Sequence, residues 1–269
     1  MSLVGVCFAS LGSGIGEVSC LALSSHYPTL AIAAWSSGTG AAGLFGSFVY
    51  AFLTDRSMAN LRPKIALLIM LCVPLVYFLT YFFILVVPKD IHRPGWNPLT
   101  WIVPEEEVGK LGHHHHLSWD ELSEVANKVS FKPLLHLMVP LTVVYFAEYL
   151  INQGVNPMVI FNCKEGFNLT LSAQYRWYQV LYQLGVFLSR SSVKVFALPT
   201  WSLYLLPVLQ CINFFFFFFE ALYWFVPNIA IIFVIIVFEG LLGGGSYVNT
   251  FDKIHKKVSN LQVAASHQI

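Results

Sequence analysis

Three glutamates, Glu17, Glu148 and Glu239, each stand inside an otherwise apolar stretch of a 269-residue chain. A carboxylate near the centre of a bilayer costs about 2.5–3.5 kcal/mol on insertion scales, so each needs a hydrogen-bonding partner or a water-filled cavity. A carboxyl in such a medium is suited to picking up and releasing protons. The alternative is a structural acid, neutral or hydrogen-bonded to a neighbouring helix. Two of the three adjoin glycine-dense runs: Gly12-Ser13-Gly14-Ile15-Gly16 precedes Glu17, and Gly240-Leu241-Leu242-Gly243-Gly244-Gly245 follows Glu239. Glycine-interrupted segments at corresponding places in two halves of a chain point to a transporter substrate site. Close helix packing draws on the same residues, and Gly12, Gly14, Gly16, Gly38, Gly40, Gly43, Gly243 and Gly244 are the expected contact glycines.

Further polar residues are expected to line a cavity: Tyr145, Asn152 and Gln153 around Glu148, then Gln179, Gln183 and Arg190, and Asn249 beyond Glu239. Arg176 and Arg190 share a helical face with the two glutamines. An arginine can receive a phosphate or carboxylate bidentately; equally, these two can anchor opposite ends of a helix at the membrane interface. The four contiguous histidines at 113–116 have no second cluster or spaced acid to close a site, so no metal and no cofactor is expected. The five cysteines include no CxxC pair and read as small buried hydrophobes. No serine–histidine–acid or cysteine–histidine set stands out, and the chain reads as a non-enzyme.

The elements that must position these groups follow from composition. The chain is 57% hydrophobic and 11% charged, with mean hydropathy +0.66, against about 25% charged residues in a soluble domain. Net charge is +1, which offers no electrostatic case for a nucleic-acid partner. Membrane lipid, protons and a small solute are the expected partners. A membrane-crossing helix takes about 20 mostly apolar residues, and seven segments qualify: 3–24, 30–54, 65–87, 134–153, 174–192, 196–223 and 228–250. The fifth is the most polar, and either lines an aqueous cavity or lies at the interface. The fold expected is all-α, a polytopic transmembrane bundle.

Orientation follows from loop charge. With the connection at 88–132 cytoplasmic, ten of the 15 Lys and Arg fall on the cytoplasmic side. The sequon at Asn168 then falls on the opposite side, where glycosylation occurs. The connection holds Glu105, Glu106 and Glu107, the histidine run, and a helically spaced apolar stretch from Trp119 to Val129 that reads as an amphipathic surface helix.

Several runs resemble the battenin family of lysosomal membrane proteins: Phe8 to Glu17, Trp35-Ser36-Ser37-Gly38-Thr39-Gly40, Val144-Tyr145-Phe146-Ala147-Glu148-Tyr149, Gln174-Tyr175-Arg176-Trp177-Tyr178-Gln179, Ser189-Arg190-Ser191-Ser192, and Glu239 to Gly244 leading to Tyr247-Val248-Asn249-Thr250-Phe251. They occur in family order over nearly the whole chain. The resemblance implies a major-facilitator-like fold of about eleven helices in lysosomal and late endosomal membranes. It also implies a part in lysosomal pH and small-molecule homeostasis, with glycerophosphodiester clearance the leading solute flux. A non-transporting organiser of endosome–lysosome trafficking is the alternative. On that alignment residues 1–87 are three helices of an N-terminal bundle, 88–132 a cytoplasmic linker, 133–250 four helices of a C-terminal bundle and 251–269 a polar tail. Three N-terminal helices and the last helix of the family are then expected outside this chain. The family's dileucine-type sorting signal has no evident counterpart in the linker.

Overall fold

The computed structural model describes residues 2–24, 27, 29–86, 97, 131–162, 164–192 and 197–266. The acidic run, the histidine run and the amphipathic stretch of the long connection lie outside the described residues. Among those described there is no strand, and the helices are α1 (Ser2–Ser24), α2 (Thr29–Thr54), α3 (Pro63–Met70), α4 (Cys72–Leu79), α5 (Phe131–Tyr149), α6 (Leu171–Ser191), α7 (Ser202–Tyr223) and α8 (Ile229–Ser266). All seven expected segments are helical, the third being divided into α3, α4 and a π turn at Thr80–Ile84. Among the described residues five stretches are long and apolar enough to cross a membrane: Leu3–Cys20, Pro63–Ile84, Leu135–Met158, Ser202–Tyr223 and Ile229–Ile254. The chain is a polytopic helical membrane protein.

Two compact units share the chain, one made of Met1–Pro28 and Met70–Phe131, the other of Thr29–Ile69 and Lys132–Ile269. In the first, Leu3, Phe8, Leu11, Ile15 and Val18 of α1 and Val73, Leu75, Val76 and Phe78 of α4 are exposed. Such surfaces suit hydrocarbon rather than water. The hydroxyl of Tyr27 donates to the Val86 carbonyl at 2.9 Å, and Cys20 and Tyr77 share a hydrogen bond at 3.1 Å.

The second unit is organised around α6, which packs against both α2 and α8. Its polar face explains why hydropathy alone marks it least clearly: Gln174, Tyr178, Tyr182 and Ser189 are buried within the bundle. Tyr178, Tyr182 and Val186 join Ile151, Val155, Phe217, Ile229, Ile232 and Ile236 in the principal core. Gln174 clamps the incoming chain, accepting from Phe161 N at 3.0 Å and donating to Phe161 O at 2.9 Å.

Two other features shape the unit. Helix α5 carries Pro140 internally and runs into a π turn at Leu150–Val155, then a 3₁₀ turn at Asn156–Met158 that includes Pro157. A π turn shifts helical register, and the shift here buries Ile151, Asn152 and Val155 together. Helix α8 continues to Ser266, through residues expected as a polar tail. No glycine or proline interrupts 251–266, and Lys256 pairs with Asp252 one turn back at 2.6 Å, which supports continued helix.

Candidate functional site

The closest helix contact in the larger unit sets the site's geometry. A Cβ placed on Gly185 of α6 would collide with the Val237 carbonyl, and one on Gly240 of α8 with the Tyr182 carbonyl. Only glycine permits this backbone-to-backbone approach. One turn on, a Cβ on Gly244 would lie 2.8 Å from the Val186 carbonyl. Gly243 leaves the space that Oε2 of Glu148 occupies. Glycines at this seam therefore bring α6 and α8 together and make room for an acid from α5.

Around the seam lies a buried cluster of carboxyls, amides and phenols. Glu148 and Glu239 are 6% and 0% exposed. Tyr182 donates its hydroxyl to Oε1 of Glu148. Asn152, in the π turn, donates Nδ2 to Oε1 of Glu239 at 2.8 Å and lies 3.3 Å from the Glu148 carbonyl. Its own Oδ1 accepts from Gln179 at 3.2 Å and from Asn156 at 3.4 Å, while Tyr175 donates to its backbone carbonyl at 3.2 Å. The second carboxyl oxygen of each acid, Oε2 of Glu148 and of Glu239, is buried with no hydrogen-bond partner among the described residues. Two acids in one apolar enclosure cannot both stay charged cheaply; a proton or a cation must balance them. The cluster is chemically suited to proton exchange.

Beside it, Arg190 reaches three helices. It donates to Thr39 Oγ1 of α2 at 3.1 Å and to the Tyr145 hydroxyl of α5 at 3.3 Å, and its guanidinium lies 4.2 Å from the centre of the Tyr247 ring of α8. A cation over an aromatic face in this setting is a bundle contact rather than a lipid-facing anchor.

Of the residues expected at the site, Glu148, Glu239, Asn152 and Gln179 come together, with Tyr145 and Arg190 adjoining. Gln183 instead abuts Gly43 of α2, and Arg190 packs near Gly40. Asn249 is buried but acts locally, accepting from Leu198 N at 2.8 Å and donating to the Gly245 carbonyl at 2.8 Å. Gln153 is exposed on the far side of the π turn. Glu17 lies on an exposed face of α1, in the other unit. At Gly12, Gly14, Gly16 and Gly38 nothing lies within 4 Å of where a Cβ would stand, so among the described residues no close helix approach requires glycine there. Asn168 is exposed, in a left-handed turn at φ 58°.

Sequence reasoning did not single out Tyr182, Asn156, Gly185 or Gly240 for these roles. Tyr182 was visible as part of α6's polar face, and Gly185 and Gly240 as further small residues on helices already marked. Nothing local revealed Asp55, which closes α2. Its Oδ1 accepts from Ser57 N at 2.9 Å and Ser57 Oγ at 2.7 Å, and its Oδ2 from Trp177 Nε1 of α6 at 3.2 Å. The Ser57 backbone N–H, aided by the Ser57 hydroxyl, Trp177 and the nearby Arg176, holds its carboxyl below the usual range despite burial.

Comparison with known proteins places these features in a family. Residues 1–266 match the family model described as CLN3 protein. The chain is 42% identical to Battenin of Canis lupus familiaris over 268 residues, covering 96% of this chain and 58% of that protein. It is 39% identical to Protein BTN1 of Yarrowia lipolytica over 255 residues, covering 93% and 62% respectively. Protein BTN1 of Candida albicans is 38% identical over 281 residues, covering 96% and 65%. The chain thus spans about three-fifths of the length of these relatives. No solved structure matches.

Proposed function

The chain belongs to the CLN3 protein family, and on that premise we propose that it is a proton-linked transport protein of lysosomal and late endosomal membranes. In this reading it contributes to lysosomal pH and small-molecule homeostasis, and a glycerophosphodiester is the solute to test first. The supporting observation is the cluster in which Glu148 and Glu239 are buried on different helices, Asn152 bonding the Glu239 carboxyl and the Glu148 backbone carbonyl, and each acid has one unpartnered carboxyl oxygen. Protonated, such an oxygen becomes a donor and needs a different partner; ionised, it needs a cation or more donors. A change of proton occupancy therefore changes which helices the cluster holds together. Proton-coupled alternating access requires a coupling of this kind between a titrating group and helix contacts.

Flux from sealed vesicles tests the reading. Vesicles carrying the protein are loaded with a glycerophosphodiester at acidic internal pH and diluted into neutral buffer. Efflux that follows the pH gradient, and loses that dependence in Glu148→Gln and Glu239→Gln at equal protein abundance, is the expected result. Flux indifferent to the gradient and unchanged in both substitutions and their double would reduce the acids to packing residues.

A further inference from the structure

Away from the carboxyl cluster, the larger unit has a partly open cavity of about 250 Å³ where the end of α2, the loop before α3 and the start of α6 meet. Arg56, Asn60 and Arg62 form one side, and Thr170, Ser172 and Arg176 the other; none of its lining residues is acidic. Three guanidinium groups around one cavity with no acidic lining residue give it a positive potential that favours an anion. Arg176 is half-buried, and its Nε is buried with no hydrogen-bond partner among the described residues. A donor left in that state costs free energy that an anion would recover.

The surrounding backbone adds to the same potential. Pro63 opens α3, and Thr170 precedes the first turn of α6, so two helix N-termini border the cavity. Their aligned dipoles favour an anion. Thr170 makes no side-chain capping bond to α6, and its hydroxyl shares a 3.4 Å hydrogen bond with that of Ser172, both residues lining the cavity.

The two sides are also pinned together. Asp55 bridges from α2 to Trp177 of α6, 122 residues away in sequence. Its carbonyl accepts from Asn60 N at 2.9 Å, and Leu61 N donates to the Leu53 carbonyl at 2.8 Å. Asn60 adopts φ 49°, the left-handed turn that folds the loop back and presents Arg56 and Arg62. Asp55 is close enough to influence Arg176 electrostatically, but both its oxygens are engaged by Ser57 and Trp177.

We propose that this cavity is an anion site for a phosphate-bearing group. Planar guanidinium forks and hydroxyl donors on opposite walls match the several oxygens of a phosphate better than the two of a carboxylate. Its volume falls below the roughly 300–1,000 Å³ of pockets that enclose drug-sized ligands, which fits one headgroup rather than a large solute. The phosphate can belong to a soluble phosphate ester or to a phospholipid headgroup. The site does not rest on the proton-linked reading, because binding here is measured without flux.

The full chain in dodecyl maltoside, a detergent without phosphate, is titrated calorimetrically with inorganic phosphate and with glycerol 3-phosphate. In a second arm, nanodiscs are assembled from phosphatidylcholine with phosphatidylglycerol, and the lipid that co-purifies is counted by mass spectrometry. Saturable binding is expected to weaken on the order of tenfold or more in Arg62→Gln and in Arg176→Gln. Arg176→Lys, which keeps the charge without the fork, falls between. Lys256→Gln, removing an exposed charge on α8, leaves binding unchanged. Binding confined to the soluble arm assigns a free phosphate ester; arginine-dependent enrichment confined to the lipid arm assigns a headgroup. Arg62 is exposed, so its substitution tests the site without threatening the fold. No saturable binding in either arm, or equal weakening by Lys256→Gln, overturns the proposal and leaves the arginines as interfacial anchors.

Discussion

Asn152 and Glu239 are 87 residues apart in the chain, yet the amide of one donates to the carboxyl of the other at 2.8 Å inside the bundle. The contact exists because a π turn swings Asn152 inward at the end of α5, and because the Gly185–Gly240 seam seats α8 closely on α6. Through its carbonyl oxygen the same amide accepts from Gln179, so one side chain ties three elements.

Replacing Asn152 by Ala strips the partnered oxygen of Glu239 and is expected to cost about 1–3 kcal/mol, as for any buried polar group left unsatisfied. Glu239→Gln should cost less, since it keeps volume and hydrogen-bonding capacity. In a double-mutant cycle Asn152→Ala and Glu239→Ala should be non-additive by roughly 0.5–3 kcal/mol. Thermal unfolding in detergent measures this, and strict additivity would mean the hydrogen bond is energetically idle.

Glycines separate into two groups with opposite expected effects. Gly185→Ala and Gly240→Ala push a methyl into the facing backbone carbonyl, where no flexible side chain can yield. Overpacking of this kind typically costs about 1–3 kcal/mol, and more where backbone must move. Gly12→Ala meets open space on a helix, where alanine is favoured over glycine by about 0.5–1 kcal/mol. Unfolding temperatures of the three variants in one detergent should fall, fall and hold or rise. A loss at Gly12 equal to that at Gly240 would show an unseen neighbour against α1.

The helices and the acid positions could be read from the sequence because both depend on local statistics: apolar runs of membrane length, and charges that interrupt them. Glu148 and Glu239 were visible for that reason. Their mutual arrangement was not, because it depends on a π turn that shifts Asn152 by a register step, and no residue type announces such a turn. Tyr182 looked like one of several polar residues on α6 until packing showed which face meets α5 and α8. Arg56 and Arg62 counted only as loop charge. Their convergence with Arg176 depends on Asp55 folding the loop back onto α6, a contact across 122 residues. Glu220 was equally unpredicted: it closes the α7–α8 turn by accepting from Phe225 N and Val226 N at 3.1 and 3.0 Å.

Topology gives a direct test of the orientation derived from loop charge. Asn168 is exposed in a turn just before α6, accessible to the glycosylation machinery. The expected result is a glycosidase-sensitive mass shift abolished by Asn168→Gln, with the 88–132 connection cut by protease added outside intact vesicles. Protection of that connection, together with an unglycosylated Asn168, would invert the orientation.

Asp55 supplies the pH dependence that can be predicted with a sign. Its folded-state carboxyl titrates below the ordinary value of 3.8, chiefly through the Ser57 backbone N–H. A depressed acid contributes stability that is fully present above the unfolded value and is lost as pH falls through the folded one. Between neutral pH and about pH 5, spanning the range of an acidified organelle, the contribution should therefore stay constant. Asp55→Asn removes the charge while keeping the size, and should destabilise the protein by a nearly fixed amount across that range. Below the ordinary aspartate value the gap between the two proteins should close, because the wild-type carboxyl becomes protonated as well. Unfolding midpoints of both proteins from pH 7 to pH 3 read this out. A gap that begins to close near pH 6, or that widens on acidification, would mean that the Asp55–Ser57–Trp177 contact does not hold the carboxylate as the geometry requires.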